Sequence, residues 1–138
     1  MTISRHNPEE LHKTAGYAHV TIVDSGRVAT LAGQCPLNRD GELVGSGDLI
    51  AQVDQVVMNA KIALLAVGAR PDDVIRSVIY VVSDDPGVLG MAWGRLTSSD
   101  LAAAFTSAST LVGVAALGYR GQLVEVDLTA SLAATAEP

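Results

Sequence analysis

The sequence predicts an α+β domain in which six mostly antiparallel strands form a sheet and two helices cover one of its faces. Two observations predict this class. Short β-branched runs recur along the chain, and two intervening segments change to the three- and four-residue spacing of amphipathic helices. At 138 residues the chain fits one domain, residues 1–138, with a core expected over about 14–132.

Composition limits the partners that the chain can take. Nine Lys and Arg against fifteen Asp and Glu give a formal charge of −6, which repels phosphate backbones and anionic membranes. We therefore expect neither nucleic acid nor membrane as a partner. Hydrophobic residues make up 49% of the chain, which is high for a monomer of this length. We expect some apolar surface to be buried against another subunit.

The cysteine count and the N-terminal residues bear on the compartment. Cys35 is the single cysteine, which excludes an intramolecular disulfide and fits a reducing compartment. The three histidines do not join it in a metal-binding spacing, so no metal or other cofactor is expected. The first twenty residues are too polar for a signal peptide, and we expect no apolar run long enough to span a bilayer. These features predict a cytoplasmic protein.

The N-terminal half begins with strand signals. His19–Val23 and Arg27–Gly33 are β-branched runs separated by Asp24–Gly26, which predicts a hairpin between two antiparallel strands. A glycine-rich stretch follows, with a turn at Asp40-Gly41. The segment Glu42–Val44 is an optional short strand within it.

The first helix has the clearest boundaries in the chain. Apolar residues recur at helical spacing from Leu49 to Val67. Asp48 can accept a hydrogen bond from a first-turn amide, which predicts it as the N-cap. Gly68 can adopt the left-handed conformation that ends a helix, and Pro71 prevents continuation.

The C-terminal half returns to strands around a second helix. Asp73–Ser83 is apolar on nearly both faces, which predicts a central strand, and Arg76 marks its wetter end. Asp85 followed by Pro86 predicts the start of a second helix that runs to about Phe105. Two further strands are expected after it: Ser109–Val114 and Leu123–Leu132.

Four short stretches, in this order along the chain, carry a resemblance to a known family: Gly16-Tyr17-Ala18-His19, Ala32-Gly33-Gln34, Gln52 to Asn59, and Ser109-Thr110 followed by Glu125-Val126-Asp127. Together they resemble the motifs of the RidA (YjgF, reactive-intermediate deaminase) family over about residues 14–132. The resemblance implies a chorismate-mutase-like fold that assembles as a homotrimer with ligand clefts between subunits. It also implies hydrolysis of enamines and imines of 2-oxo acids, with release of ammonia, as a form of metabolite detoxification.

The resemblance implies a set of site residues. Glu125 is the expected catalytic residue, because the family uses a glutamate at this position to orient water. The remaining residues are expected to contact the ligand: Tyr17, Ala32, Gly33, Ala108, Ser109 and Arg120.

The chain departs from the family pattern at two of these positions. Ala108 occupies the position of the family's arginine, which holds the substrate carboxylate, and Ala32 that of a serine. Loss of a bidentate arginine is expected to weaken recognition of a 2-imino acid about 100-fold. Arg120 or Arg95 could supply a replacement cation, although most surface arginines have no such role.

Several candidate residues have a simpler structural interpretation. Glu125 could be a solvated or interface strand residue, and Tyr17 could simply pack. Cys35 is a nucleophile only if a base and a lowered pKa accompany it. His19 at a strand start is more often structural, and Trp93 is more often part of a core or an interface.

Two functional hypotheses follow from the sequence. The first is a RidA-like hydrolase of small imines that uses Glu125. The alternative is a non-catalytic module that binds or senses a small metabolite on the same trimeric scaffold. Cleavage of RNA, a third hypothesis, conflicts with the acidic composition.

Overall fold

A computed structural model describes residues 2–134 as six strands and two helices. The strands are β1 (Ile3–His6), β2 (Val20–Val23), β3 (Arg27–Thr30), β4 (Val74–Val82), β5 (Ala108–Val114) and β6 (Val124–Leu132). The helices are α1 (Leu49–Ala66) and α2 (Pro86–Thr97), with 3₁₀ turns at Pro71–Asp73 and Ala102–Thr106. The predicted α+β class, with six strands and two helices, is confirmed.

The strands form a four-stranded sheet and a separate two-stranded ladder. The larger sheet has the order β3-β6-β4-β5, so β4 is an interior strand, as expected. The β3–β6 and β6–β4 pairs are antiparallel and the β4–β5 pair is parallel. Strands β1 and β2 form an antiparallel pair of their own. Pairing is therefore mostly antiparallel, as predicted.

The predicted β2–β3 hairpin is wrong in its pairing. Residues 24–26 do connect the two strands, but within residues 2–134 no ladder joins them. Strand β2 pairs instead with β1, and β3 pairs with β6. The polar N-terminal segment forms β1, a strand that the sequence did not predict. Strand β1 forms the backbone hydrogen bonds with β2 that were expected from β3. Glu42–Val44 forms only an isolated bridge, through Leu43 and Leu37.

Helix α1 begins and ends as predicted. The Asp48 carboxylate accepts a hydrogen bond from the Ala51 amide at 3.1 Å, which satisfies one of the first-turn donors. Gly68 follows the helix with φ +76°, a conformation that favours glycine. Local sequence signals are therefore sufficient to define this helix.

Helix α2 begins at Pro86 as predicted but ends at Thr97 rather than near Phe105. The Thr97 hydroxyl donates to the Trp93 carbonyl at 2.8 Å, and the Ser98 hydroxyl donates to the Gly94 carbonyl at 2.7 Å. These side chains satisfy the last helical carbonyls and end the helix. Phe105 lies instead in the second 3₁₀ turn, where it is buried.

Both helices pack on one face of the four-stranded sheet. The fully buried large residues come from both layers: Val53, Val56, Leu64, Ile79, Val81, Leu96, Phe105, Val124 and Leu128. Alternate residues of β4 and β6 point to the opposite face, where they are only half-buried. One face of the sheet is therefore covered by the chain itself and the other is not.

Helix α1 is long and apolar enough to cross a membrane, although no such segment was expected from the sequence. Its 18 residues have a mean hydropathy of 1.3, which by length and composition alone would allow a membrane span. One third of the helix is buried inside the domain. Asp54 and Lys61 on this helix form ion pairs with Arg95 and Asp100. These contacts are those of a core helix that packs on a sheet.

Candidate functional site

The carboxylate of Glu125 is held in a fixed position at the β6–β4 register. Glu125 pairs with Tyr80 and lies between two buried valines, so its side chain points away from the helices. Its Oε1 accepts a hydrogen bond from Gln122 Nε2 at 3.1 Å and one from the Cys35 thiol at 3.2 Å. Within residues 2–134 no donor reaches Oε2. One carboxylate oxygen is thus anchored by two donors within the chain.

Gly33 lies directly against this carboxylate. The segment that contains it continues from β3 along β6, where the Leu31 amide donates to the Leu128 carbonyl and the Gln34 amide to the Val126 carbonyl. A Cβ at position 33 would lie 2.2 Å from Glu125 Oε2. Only glycine leaves room for the carboxylate. Ala32 is the neighbouring residue, so the structure places Ala32, Gly33 and Glu125 close together.

Cys35 serves Glu125 as a hydrogen-bond donor. Burial, the hydrogen bond to Glu125 and the negative charge of Glu125 raise the pKa of the Cys35 thiol to about 11. The condition for a nucleophile, a lowered pKa, is not met. Among residues 2–134, no group of three or more His, Cys, Asp or Glu could hold a metal ion.

An open groove of about 820 Å³ runs between this segment and helix α1. Gly33 and Cys35 lie on one wall, and Asn59 and Ile62 on the other. Asn59 Nδ2 donates to the Cys35 carbonyl at 2.9 Å, which holds the Cys35 segment against the helix. The asparagine of the third sequence motif therefore positions a residue that contacts Glu125.

Gln52, the glutamine of the same motif, has a structural role. Its side chain is fully buried and its Nε2 donates to the carbonyls of Gly45 and Gly121 at 3.1 and 3.0 Å. Its Oε1 accepts from the Leu123 amide at 2.7 Å. One side chain thereby joins two loops to α1, including the loop that leads into β6.

A second cluster lies at the outer edge of β5. The Ala18 amide donates to the Ser107 carbonyl at 3.1 Å, and Ala18 forms a parallel bridge with Ala108. Tyr17 contacts the ring of Trp93 edge-on, with ring centroids 6.2 Å apart. Tyr17, Trp93 and Ser109 line a cavity of about 250 Å³. The first and fourth sequence motifs therefore meet at this edge of the sheet.

The side chains of this second cluster have partners within the chain. The Tyr17 hydroxyl lies 3.0 Å from His12 Nε2, and His19 Nε2 lies 2.8 Å from the His12 carbonyl oxygen. The Ser109 hydroxyl accepts from Ser77, which is buried on the helix side of β4. Ser109 therefore points toward the helices, whereas Glu125 points away from them.

The two clusters lie at opposite edges of the four-stranded sheet. Gly33 and Glu125 are at the β3–β6 side, and Tyr17 and Ala108 are at the β5 edge. With β4 between them, a single chain does not bring Tyr17 to Glu125. The predicted site residues thus fall into two separate clusters within one chain, and Arg120 lies in the loop before β6.

Comparison with known proteins identifies the family. The sequence profile of the family described as endoribonuclease L-PSP matches residues 8–132. The chain belongs to the RidA (endoribonuclease L-PSP) family. Protein DfrA of Myxococcus xanthus is 31% identical to this RidA-family chain over 116 residues, which are 83% of each chain.

Solved structures support the same assignment. YyfB from Yersinia pestis, a protein of unknown function of the Rid family, is 36% identical with a TM-score of 0.85. That alignment covers 96% of this chain and 100% of YyfB. Rv2704 from Mycobacterium tuberculosis, a member of the YjgF/YER057c/UK114 family, is 25% identical with a TM-score of 0.61, over 86% of this chain and 88% of Rv2704.

Arg95 and Arg120 are the two arginines that the sequence analysis considered as possible sources of a replacement cation. Arg95 donates from Nε and Nη2 to the two carboxylate oxygens of Asp54 at 2.8 Å each, so α1 already occupies its guanidinium. Arg95 also holds the pKa of Asp54 below its ordinary value. Arg120 is exposed in the loop before β6.

Sequence reasoning missed a third arginine, Arg76. The parallel register places Arg76 beside Ala108, the position of the family's arginine. Its Nη1 donates to the Ala108 carbonyl at 3.3 Å and its Nη2 to the Thr110 hydroxyl at 2.8 Å. Only the register between β4 and β5 reveals this proximity, because the two residues are far apart in sequence.

Proposed function

We propose that this protein hydrolyses imines and enamines of small metabolites, with release of ammonia, in clefts between the subunits of a homotrimer. The observation that carries the proposal is the arrangement around Glu125. Gln122 and Cys35 fix one carboxylate oxygen, and the absence of a side chain at Gly33 leaves room for the other. A carboxylate held in this way is suited to orient a water molecule and accept its proton.

The proposed reaction needs no oxidant or cofactor. Water adds through its oxygen to the carbon of a protonated imine, and Glu125 Oε2 takes the proton that the water releases. The same proton is then transferred to the nitrogen, the carbon–nitrogen bond breaks, and ammonia leaves with both electrons of that bond. The remaining hydroxyl group releases its proton to Glu125, which passes it to ammonia, so that the carbonyl product and ammonium form. The balance is R₂C=NH₂⁺ + H₂O → R₂C=O + NH₄⁺. Glu125 ends in the form in which it began.

Trimer assembly is part of this proposal. The face of the sheet opposite the helices carries half-buried Val78, Tyr80 and Val112, which a neighbouring subunit could cover. Glu125 lies on β6 and Tyr17 lies beside the β5 edge, with β4 between them, so packing of the β5 edge of one subunit near the β6 side of the next would join the two clusters. Ala32, Ala108, Ser109 and Arg120 would then border the shared cleft.

The decisive experiment measures ammonia release from freshly generated 2-iminobutanoate above the uncatalysed rate. We expect activity in the wild type and a loss of about 100-fold or more in Glu125→Gln, which keeps the shape but cannot accept a proton. Asp100→Asn, a change at an exposed ion pair with Lys61, is the control and should retain wild-type activity. Equal activity of wild type and Glu125→Gln would contradict the proposal. Analytical ultracentrifugation should give three times the monomer mass.

A non-catalytic binding module is the second candidate, and Ala108 favours it. Without an arginine at this position the cleft could hold a metabolite without the carboxylate contact that imine hydrolysis uses in the family. This alternative predicts measurable binding of 2-oxobutanoate by calorimetry together with no ammonia release by the wild type over hours.

RNA cleavage, which the family name suggests, is disfavoured by the formal charge of −6. Salt-dependent binding and degradation of a single-stranded RNA by the wild type, and not by Glu125→Gln, would be required to support it. We expect neither binding nor degradation.

We place the protein in the cytoplasm. Its single cysteine is held as a thiol that donates to Glu125, an arrangement that a reducing compartment preserves. Cell fractionation with an antibody against the native protein tests this assignment, and recovery in the membrane pellet would contradict it.

A further inference from the structure

We propose that Arg76 binds the carboxylate of the ligand, in place of the arginine that this chain lacks at Ala108. The inference rests on the proposed function and deepens it, because it names the ligand class: small carboxylates, and among them zwitterionic 2-imino acids. It concerns a residue on β4, whereas the family pattern places its arginine on β5.

The first support is the way the guanidinium is held. Arg76 donates to the Ala108 carbonyl and to the Thr110 hydroxyl, both on β5. An arginine has five N–H donors, so use of two leaves three for a ligand. Within residues 2–134 no carboxylate forms a salt bridge with Arg76. The guanidinium is thus oriented by neutral groups while its charge remains uncompensated, which favours binding of an anion.

The second support is the charge distribution on the open face of the sheet. Arg76, Val78 and Tyr80 alternate onto this face from β4. Glu125 and Asp127 on β6 pair with Tyr80 and Val78 and therefore share the face. Negative charge lies along β6, whereas the Arg76 guanidinium reaches across to β5.

This distribution selects an orientation for a charged ligand. A carboxylate is repelled by Glu125 and Asp127 and attracted to Arg76. A protonated imine nitrogen is attracted in the opposite direction, toward the acids of β6. Because β4 separates β5 from β6 by two strand spacings, about 10 Å, a small molecule that carries the two charges on adjacent carbons would meet both groups only across the boundary between two subunits.

The other candidate arginines do not combine a guanidinium free of a carboxylate partner with a position beside Ala108. Arg95 is engaged by Asp54 on the helix layer. Arg39 and Arg120 are exposed on loops. Arg76 alone among these four contacts the residue that occupies the position of the family's arginine.

The test is binding of 2-oxobutanoate, measured by calorimetry, to wild type, Arg76→Ala and Arg76→Lys. We expect Arg76→Ala to bind about 10- to 100-fold more weakly, as loss of charge-assisted hydrogen bonds predicts, and Arg76→Lys to bind with intermediate affinity. Arg27→Ala, at an exposed β3 arginine that donates to the Ala133 carbonyl, is the matched control and should bind like wild type. Circular dichroism and Tm verify that each variant is folded.

Rescue gives a second, independent readout. Ala108→Arg in the Arg76→Ala background should recover most of the lost affinity, because it returns a guanidinium to the same place from β5. Wild-type affinity in Arg76→Ala, or no binding of 2-oxobutanoate to the wild type, would overturn the inference.

Turnover separates this inference from the proposed function. If the protein hydrolyses imines, Arg76→Ala should raise KM for 2-iminobutanoate and leave KM for the imine of butanone, which has no carboxylate, unchanged. An equal effect on both substrates would overturn the role of Arg76. If the wild type has no activity at all, imine hydrolysis fails, while the binding measurement still decides the role of Arg76.

Discussion

Gly33 and Glu125 are in such close contact that a methyl group at position 33 would lie 2.2 Å from the Glu125 Oε2. The same methyl group would lie 2.7 Å from Cδ and 2.9 Å from Cγ of Glu125, so Gly33→Ala should displace the whole side chain from its hydrogen bonds. We expect ammonia release to fall at least about tenfold, because the proton acceptor loses its position, with a loss of unfolding free energy of about 1–3 kcal/mol. Steady-state kinetics and denaturant titration measure the two effects.

Gly90→Ala is the matched control for this glycine. A Cβ at Gly90 meets nothing within 4 Å, and the residue lies within α2. Replacement by alanine should stabilise the protein by about 0.5–1 kcal/mol without a change in activity. If Gly33→Ala behaves in the same way, the close contact with Glu125 has no functional role.

The Cys35 thiol should be unusually unreactive. Its pKa of about 11, against an ordinary value of 9.0, leaves about 100-fold less thiolate at neutral pH. The rate of alkylation by iodoacetamide, followed by mass spectrometry against pH, should rise only as the pH approaches 11. A plateau of the rate below pH 9 contradicts the prediction.

Removal of the Glu125 charge should make the same thiol more reactive. Two of the causes that raise the pKa of Cys35 are the hydrogen bond to Glu125 and its negative charge. In Glu125→Gln both weaken, so the apparent pKa should fall, while burial, the largest cause, keeps it above 9.0. Unchanged alkylation in Glu125→Gln would show that the two side chains are not coupled in solution.

The ion pair between Arg95 and Asp54 should contribute to stability in a pH-dependent way. Arg95 lowers the pKa of Asp54 in the folded chain, so the contribution is present above the unfolded pKa, near 3.8, and is lost as the pH falls through the folded value. Both side chains are about half-exposed, so the effect is small. Asp54→Asn should lower Tm slightly at about pH 7 and not at about pH 2; a pH-independent difference contradicts this origin.

Gln52→Leu should destabilise the fold severely. The substitution removes the partners of two carbonyls and one amide around a fully buried side chain. At about 1–3 kcal/mol for each unsatisfied group, the free energy of unfolding should fall by at least about 3 kcal/mol. Gln55→Leu, at a half-buried position one turn of α1 away, should cost less than about 1 kcal/mol in the same urea titration. Equal costs would show that the buried hydrogen bonds of Gln52 are not decisive.

The elements of this fold that local signals define could be predicted from the sequence. Asp48 and Gly68 mark both ends of α1, and Pro86 marks the start of α2. Strand pairing could not be predicted, because it depends on competition between distant segments. The Asp24–Gly26 turn resembles a hairpin, yet β2 has a second possible partner in Ile3–His6, whose polar residues conceal a strand.

The candidate site was predictable only in part for the same reason. The residue types of the motifs that contain Gly33 and Glu125 could be recognised in the sequence, but their contact is seen only in the structure. Arg76 was overlooked because its proximity to Ala108 follows from the parallel β4–β5 register and not from any spacing in the sequence. Kinetics and binding of the Gly33, Glu125 and Arg76 variants test whether these contacts contribute to function.

The position of β6 has a consequence for how the protein is made. Arg27 of β3 pairs with Leu132 at the end of β6, and β6 also pairs with β4 over most of its length. Until β6 has been synthesised and has emerged from the ribosome, only the β4–β5 part of the four-stranded sheet has both partners available. The sheet can therefore close only after β6 emerges, and until then β3 and β4 each expose an unpaired edge that chaperones or other nascent chains can bind.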